Sequence, residues 1–319
     1  MPSSSIRRVA PLLRLGLDLG GTKIEGAILD QRGRQLFRER VATGQEGGYR
    51  AILANVEALY RRMLREIGTR EHGLGLGAPG SLSYASGRIK NSSTPCLNGK
   101  PLKRDLERRL GRSLVLENDA NCFALAEALQ GAGRGHEMVF GVILGTGCGG
   151  GIVCQGRLWR GAQGIAGEWG HSSIDPEGPR CYCGQRGCVE TVVSGGELEK
   201  RYRERHGRAL GLREIVRRFR AGKPEDAAFM SEFFERFGRS LANVINILDP
   251  DVVVLGGGVS NIRELYGRGV RETRRRIFND RPTTPIVRHR LGDSAGVIGA
   301  ALLSDQGSAY AFDRDWIKK

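Results

Sequence analysis

No apolar run in this 319-residue chain approaches the length of a membrane span. Its start, MPSSSIRRVAPLLRL, lacks the long apolar region and small-residue cleavage site of a secretory signal, so a cytoplasmic protein with no membrane partner is expected. Linkers, low-complexity tracts and short-period repeats are also lacking, which excludes a solenoid. Acidic residues are in deficit: 35 Asp and Glu face 50 Lys and Arg, leaving a net charge of +15. Such an excess can mark a nucleic-acid binder. Here, however, the cations are dispersed through helical stretches (Arg61, Arg62, Arg65; Lys103, Arg104, Arg108, Arg109; Arg213, Arg217, Arg218, Arg220). They read as solvated faces, and no nucleic-acid partner is expected. The field would still attract an anionic ligand such as a nucleotide.

With 39% hydrophobic residues the chain has enough apolar material for a core, and its length suits two packed domains. Residues 14–33 (RLGLDLGGTKIEGAILDQRG) and 140–156 (FGVILGTGCGGGIVCQG) look alike: an apolar strand, a Gly/Thr turn, a second apolar strand and a polar turn. Two related domains, each opening with a glycine-rich β-hairpin, are implied. Strands are expected at 74–79, 114–118 and 251–255. Helical periodicity covers 49–68 and 225–248, and a final helix is expected at about 295–304. The fold class is α/β. The expected smaller domain is 1–117, completed by the C-terminal helical region (about 295–319), and the larger is 118–294.

The first turn, Asp18-Leu19-Gly20-Gly21-Thr22-Lys23, lets backbone N–H groups approach an anion, with Thr22 adding a hydroxyl and Lys23 a charge. Asp18 ends an apolar strand, where a carboxylate is costly unless it faces a cation; hydrated Mg2+ beside a triphosphate suits it. Gly145-Thr146-Gly147 offers a second cradle, and Gly256-Gly257-Gly258 a third turn. Neither hairpin matches a Walker loop or a dinucleotide fingerprint. Together they point to a nucleotide site. At Glu117-Asn118-Asp119-Ala120-Asn121, a strand meets a helix. Asp119 suits a helix cap, or, beside a nucleotide site, the general base that accepts the proton of an attacking hydroxyl.

Between Glu168 and Glu190, His171, Cys181, Cys183 and Cys188 stand at metal-ligand spacing. Three thiolates and an imidazole suit a closed tetrahedral structural Zn2+ site; the plainer alternative is ordinary buried thiols. Cys96, Cys122, Cys148 and Cys154 sit singly and read as small buried hydrophobes in a reducing compartment.

These motifs together resemble the ROK sugar kinases, of the two-lobed actin-like ATPase (ribonuclease H-like) fold. The resemblance runs from about residue 14 through DLGGTK, GAPGS, ENDAN, LGTGCGGG, GEWGH, CYCGQRGCVE and VVLGGGVSN. KNSSTPCLNGKPL and GIAGEWGH are most similar to bacterial fructokinases that also accept mannose. The resemblance implies ATP-dependent phosphorylation of a hexose, D-fructose to fructose 6-phosphate in the first instance. An N-acetylglucosamine or N-acetylmannosamine kinase, and a glucokinase, are the alternatives. It implies Asp119 as base, with Asn118, Glu168, His171 and Glu190 around the sugar and His171 doubling as a zinc ligand. Asp18, Gly20, Gly21, Thr22 and Lys23 match the first phosphate motif, Gly145, Thr146 and Gly147 the second, and Gly256, Gly257 and Gly258 the adenosine motif. Ser93 departs from the family's sugar-contacting Asn, and Asn91 is the nearby substitute. ATP, Mg2+ and structural Zn2+ are the implied cofactors, lobe closure the implied water exclusion, and a homodimer the implied assembly. A sugar-responsive regulator is disfavoured because no helix-turn-helix pattern precedes Asp18.

Overall fold

The computed structural model describes residues 13–68 and 70–306. The parts of the expected first domain at 1–12, and of the C-terminal region at 307–319, lie outside the described residues. The described chain forms two compact units, one running to Cys122 and resuming at Asp293, the other Phe123–Gly292.

In the first unit, β1 (Leu13–Leu19) and β2 (Lys23–Asp30) form the first expected hairpin, and β3 (Gln35–Ala42) extends it. Helix α1 (Gly48–Ile67) leads to β4 (His72–Ala78), parallel to β1. A small hairpin, β5 (Ser81–Leu82) and β6 (Ile89–Lys90), and α2 (Leu102–Leu110) precede β7 (Val115–Asn118), parallel to β4. The sheet order is β3-β2-β1-β4-β7.

Alternation decides what each face meets. Helix α1 buries Ile52, Val56, Leu59 and Met63, its 3.6-period stripe. It approaches the sheet at Gly26, where a Cβ would stand 2.9 Å from the Met63 sulfur. The last helix, Ala295–Leu302, lies against β1 and β4. Gly16 and Gly75 are register partners there, and a Cβ on either would fall within 2.3 Å and 1.9 Å of the helix carbonyls of Val297 and Ala300. Glycine is therefore what lets an almost wholly apolar helix rest directly on the strands.

Helix α3 (Asp119–Gln130) carries the chain onward into the second unit. There β8 (Met138–Leu144) and β9 (Cys148–Cys154) form the second hairpin, extended by β10 (Arg157–Leu158). After the irregular stretch come α4 (Glu190–Val193), α5 (Gly195–His206), α6 (Leu212–Arg220) and α7 (Pro224–Leu248). Strand β11 (Val252–Gly256), α8 (Arg268–Arg274) and β12 (Ile286–Arg288) complete a sheet of order β10-β9-β8-β11-β12, and the last helix is α9. The two sheets share one topology: an antiparallel three-stranded meander joined through its first strand to two parallel strands. Phe229, Phe233, Phe234 and Phe237 of α7 are buried in the core of the second unit. Each such side chain contributes on the order of 2 kcal/mol by burial.

Candidate active site

In the first unit, parallel pairing aligns Asp18 with Gly77 and Gly77 with Glu117, so the carboxyl ends of β1, β4 and β7 finish level. That edge is where an open α/β sheet presents a ligand site. The Gly20–Thr22 turn closes through Gly20 N–H donating to Lys23 O (2.9 Å). Buried Thr43 fastens it: its hydroxyl donates to Gly20 O (2.7 Å) and its N–H to Thr22 O (3.0 Å). Burial pushes the Asp18 carboxyl up to about 7, with Asp119 and Glu25 adding to the rise and Lys23 and Arg40 opposing it. Gly296 makes room for it, since a Cβ there would stand 2.5 Å from Asp18 Oδ2.

Asp119 opens α3 as its first helical residue, and its Oδ1 accepts from the next N–H, that of Ala120 (2.9 Å). Asn118 holds the strand end, donating to Gly80 O (3.1 Å) and accepting from Ala120 N–H (2.9 Å). Asn91 lies on an exposed loop with φ 55, a left-handed conformation that Asn tolerates better than most residues. The loop's fastening is Asn98, which accepts from Ser92 N–H (2.8 Å) and donates to Ser92 O (3.0 Å); Ser93 is exposed.

In the second unit, the Gly145–Gly147 turn closes by Gly145 N–H donating to Gly147 O (3.0 Å). Strand β8 is parallel to β11, which brings this turn and Gly256–Gly258 to one sheet edge. Gly257 has φ 79, and a Cβ there would strike Leu144 O at 2.4 Å, whereas Gly258 faces open space. Between them lies a cavity of about 870 Å³, lined also by Thr146, Gly195, Gly196, Glu199, Arg213, Asn261 and Ile262. Gly195 and Gly196 begin α5 and press on the second turn: Gly195 N–H donates to Gly145 O (2.7 Å), and a Cβ on Gly196 would be 2.8 Å from Thr146 O. A helix N-terminus at this cavity offers oriented N–H groups to an anion. Sequence reasoning missed this pair, although Ser194-Gly-Gly-Glu197 is a capping-box pattern and Glu197 N–H does donate to Ser194 Oγ (3.4 Å). Gly150 of the second motif serves packing. A Cβ on Gly150 would meet the Trp169 ring at 2.7 Å, and Trp169 stands edge-on to Phe140 with centroids 5.8 Å apart.

The segment 171–188 brings His171, Cys181, Cys183 and Cys188 together, with their donor atoms all within 4.8 Å of one another. His171 Nδ1 is 3.6 Å from Cys181 Sγ, and Cys183 Sγ is 3.6 Å from Cys188 Sγ. A zinc tetrahedron with Zn–S of ~2.3 Å has edges of about 3.8 Å, so the donor set and its spacing fit that ion. Gly187 (φ 59) is required by the loop, since a Cβ would fall 1.7 Å from Asp175 O. From this loop Glu190 reaches back to the second turn, its Oε2 accepting from Cys148 N–H (2.9 Å). Trp169, just after Glu168, donates from its indole to Gly149 O (3.1 Å). Both sugar-matched carboxylates therefore sit on segments tied to the second hairpin. Burial, and after it Glu190 and Glu168, raise the Cys148 thiol well above its usual value, so it stays protonated.

No helix among the described residues is long and apolar enough to cross a membrane. The profile of the ROK family matches residues 14–306. The chain is 38% identical over 305 residues to an N-acetyl-D-glucosamine kinase of Pasteurella multocida, covering 91% of this chain and 99% of that protein. Among solved structures it is similar to a ROK hexokinase from Thermus thermophilus (TM-score 0.83, 38% identity, 92% of this chain and 98% of that one). It is also similar to a ROK glucokinase from Streptomyces griseus in complex with glucose and AMPPNP (TM-score 0.76, 33% identity, 92% and 100%). The fold is accordingly the actin-like α/β kinase fold with mixed sheets.

Proposed function

The chain belongs to the ROK family, and from that premise we propose that it transfers the γ-phosphoryl group of ATP to the 6-hydroxyl of N-acetyl-D-glucosamine. It is a sugar kinase that phosphorylates a hexose with ATP. The finer reading is carried by the N-acetyl-D-glucosamine kinase that matches it nearly end to end. The D-fructose expectation finds no support among these relatives, and its alternative takes its place. Motifs shared across the family fix the phosphate chemistry. The choice of sugar turns on one or two hydroxyl or acetamide contacts, which short motifs do not carry.

In this reading Asp119 accepts the proton of the attacking hydroxyl, and Asn118 positions the sugar beside it. Glu168, His171 and Glu190 bond the remaining hydroxyls; Asn91 is the contact in place of the family Asn. Gly20, Gly21, Thr22 and Lys23 present donors to the phosphates, as do Gly145, Thr146 and Gly147. Gly256–Gly258 and the cavity beside them take the adenosine. Such transfer asks mainly for positioning and charge neutralisation. Mg2+, facing Asp18, would supply the neutralising charge. Zn2+ on His171, Cys181, Cys183 and Cys188 would hold the loop that carries Glu190. A homodimer is the assembly we propose. The test is ATP-dependent ADP release with N-acetyl-D-glucosamine, N-acetylmannosamine, glucose, mannose and fructose. N-acetyl-D-glucosamine should give the highest kcat/KM.

A further inference from the structure

We propose that Glu199 holds the ribose hydroxyls of the nucleotide, an inference that rests on the ATP reading above. The cavity assigned to adenosine must admit a triphosphate, yet Glu199 stands in its lining, the only carboxylate there. A negative side chain opposes such a ligand unless it has a donor of its own to meet. Two cations, Arg213 and Arg220, line the same cavity, but no ion pair joins Glu199 to either among the described residues. Arg220 is instead engaged by both oxygens of Glu264 (2.9 Å each).

The carboxylate is exposed but held in place. Its Oε1 accepts from Leu212 N–H (2.7 Å), which ties α5 to the first residue of α6. Oε2 makes no hydrogen bond among the described residues, so it is left as an acceptor for the cavity. Its place along α5 selects the part of the nucleotide. Gly195 and Gly196 begin that helix against the second turn, where the phosphates are assigned. Glu199 follows Gly195 by one turn on the same face, about 6 Å further along the axis. That spacing keeps it off the phosphate oxygens and brings it level with the ribose, the next part of the nucleotide. The adenine amino group, the nucleotide's other donor, lies at the end away from the phosphates. Asn261 is already engaged: its Nδ2 donates to Gly258 O (3.1 Å) and its Oδ1 accepts from Arg288. Val216, Val259 and Ile262 are apolar and suit the base. A carboxylate with one free oxygen matches a pair of vicinal hydroxyls, as acidic residues do on the ribose of other nucleotides.

The experiment measures the calorimetric Kd of Mg-ATP and of Mg-2′,3′-dideoxy-ATP, without sugar, in the wild-type protein, Glu199→Ala and Glu199→Gln. The wild-type protein should bind ATP about 5- to 20-fold more tightly than the dideoxy nucleotide, the size of a solvent-exposed hydrogen bond to a charged group. Glu199→Ala should weaken ATP by about that factor and leave the dideoxy nucleotide as tight or tighter, since a negative charge has gone. The two losses are then not additive. Glu199→Gln keeps an oxygen for Leu212 N–H and should fall between. Equal affinity of the wild-type protein for both nucleotides would overturn the inference and leave the ATP reading standing. Equal losses of both in Glu199→Ala would do the same, because a role confined to the Leu212 contact gives that result. A wild-type protein that binds neither nucleotide would overturn the ATP reading, and this inference with it.

Discussion

Asp18→Asn should stabilise the nucleotide-free protein at pH 8 and do little at pH 4. The Asp18 carboxyl ionises at about 7 in the folded chain against an ordinary 3.8, because burial, with Asp119 and Glu25 nearby, disfavours its charge. Between those values the folded state holds a proton that the unfolded state has released, so this group's contribution falls as pH rises from about 4 to 7. The full cost is present above 7 and absent below 4. At ~1.4 kcal/mol per decade the ceiling is about 4 kcal/mol. Partial solvent contact of Asp18 reduces the expected gain to about 1–3 kcal/mol. Asparagine keeps the shape and has no charge, so urea unfolding of the two proteins at several pH values isolates the group. Mg-ATP should narrow the gap by supplying wild-type Asp18 with a cation. A difference that is constant with pH, or a wild-type protein more stable than the variant at pH 8, would refute the reasoning.

Asp119→Asn should lower kcat by about 10²–10⁴-fold with KM within a few-fold; near-normal turnover would remove Asp119 from the role of base. Cys183→Ser should reduce zinc below one per chain and cost several kcal/mol in unfolding; elemental analysis that finds no zinc in active wild-type protein would remove the metal from the account. Gly187→Ala should be destabilising by about 3 kcal/mol or more, since its Cβ would fall 1.7 Å from Asp175 O at φ 59. Its zinc content should fall too, and an unchanged melting temperature with full zinc would count against the loop geometry.

Much of the architecture was legible because it rests on local pattern. The expected helices at 49–68 and 225–248 are observed at Gly48–Ile67 and Pro224–Leu248, where long apolar stripes leave little choice of face. Both hairpins read correctly from their Gly/Thr turns. The four metal-loop residues also come together as their spacing suggests. Strand β3 was missed because its pattern is half-exposed and charged, with Arg38 and Arg40 turned to Glu25. The role of Thr43 was invisible with it, since that residue acts on a turn more than twenty positions away. The glycines at 16, 75 and 141 carry no local signature of helix contact; only the packed fold shows that a Cβ would strike α9 or α3. Sugar identity was least legible.

The most direct test is kcat/KM with ATP across N-acetyl-D-glucosamine, glucose, mannose and fructose on one preparation of the protein. The account predicts N-acetyl-D-glucosamine first by at least about tenfold, the size of a well-made polar discrimination. Fructose or glucose first would contradict the proposed substrate, and no ADP release with any hexose would contradict the kinase mechanism itself.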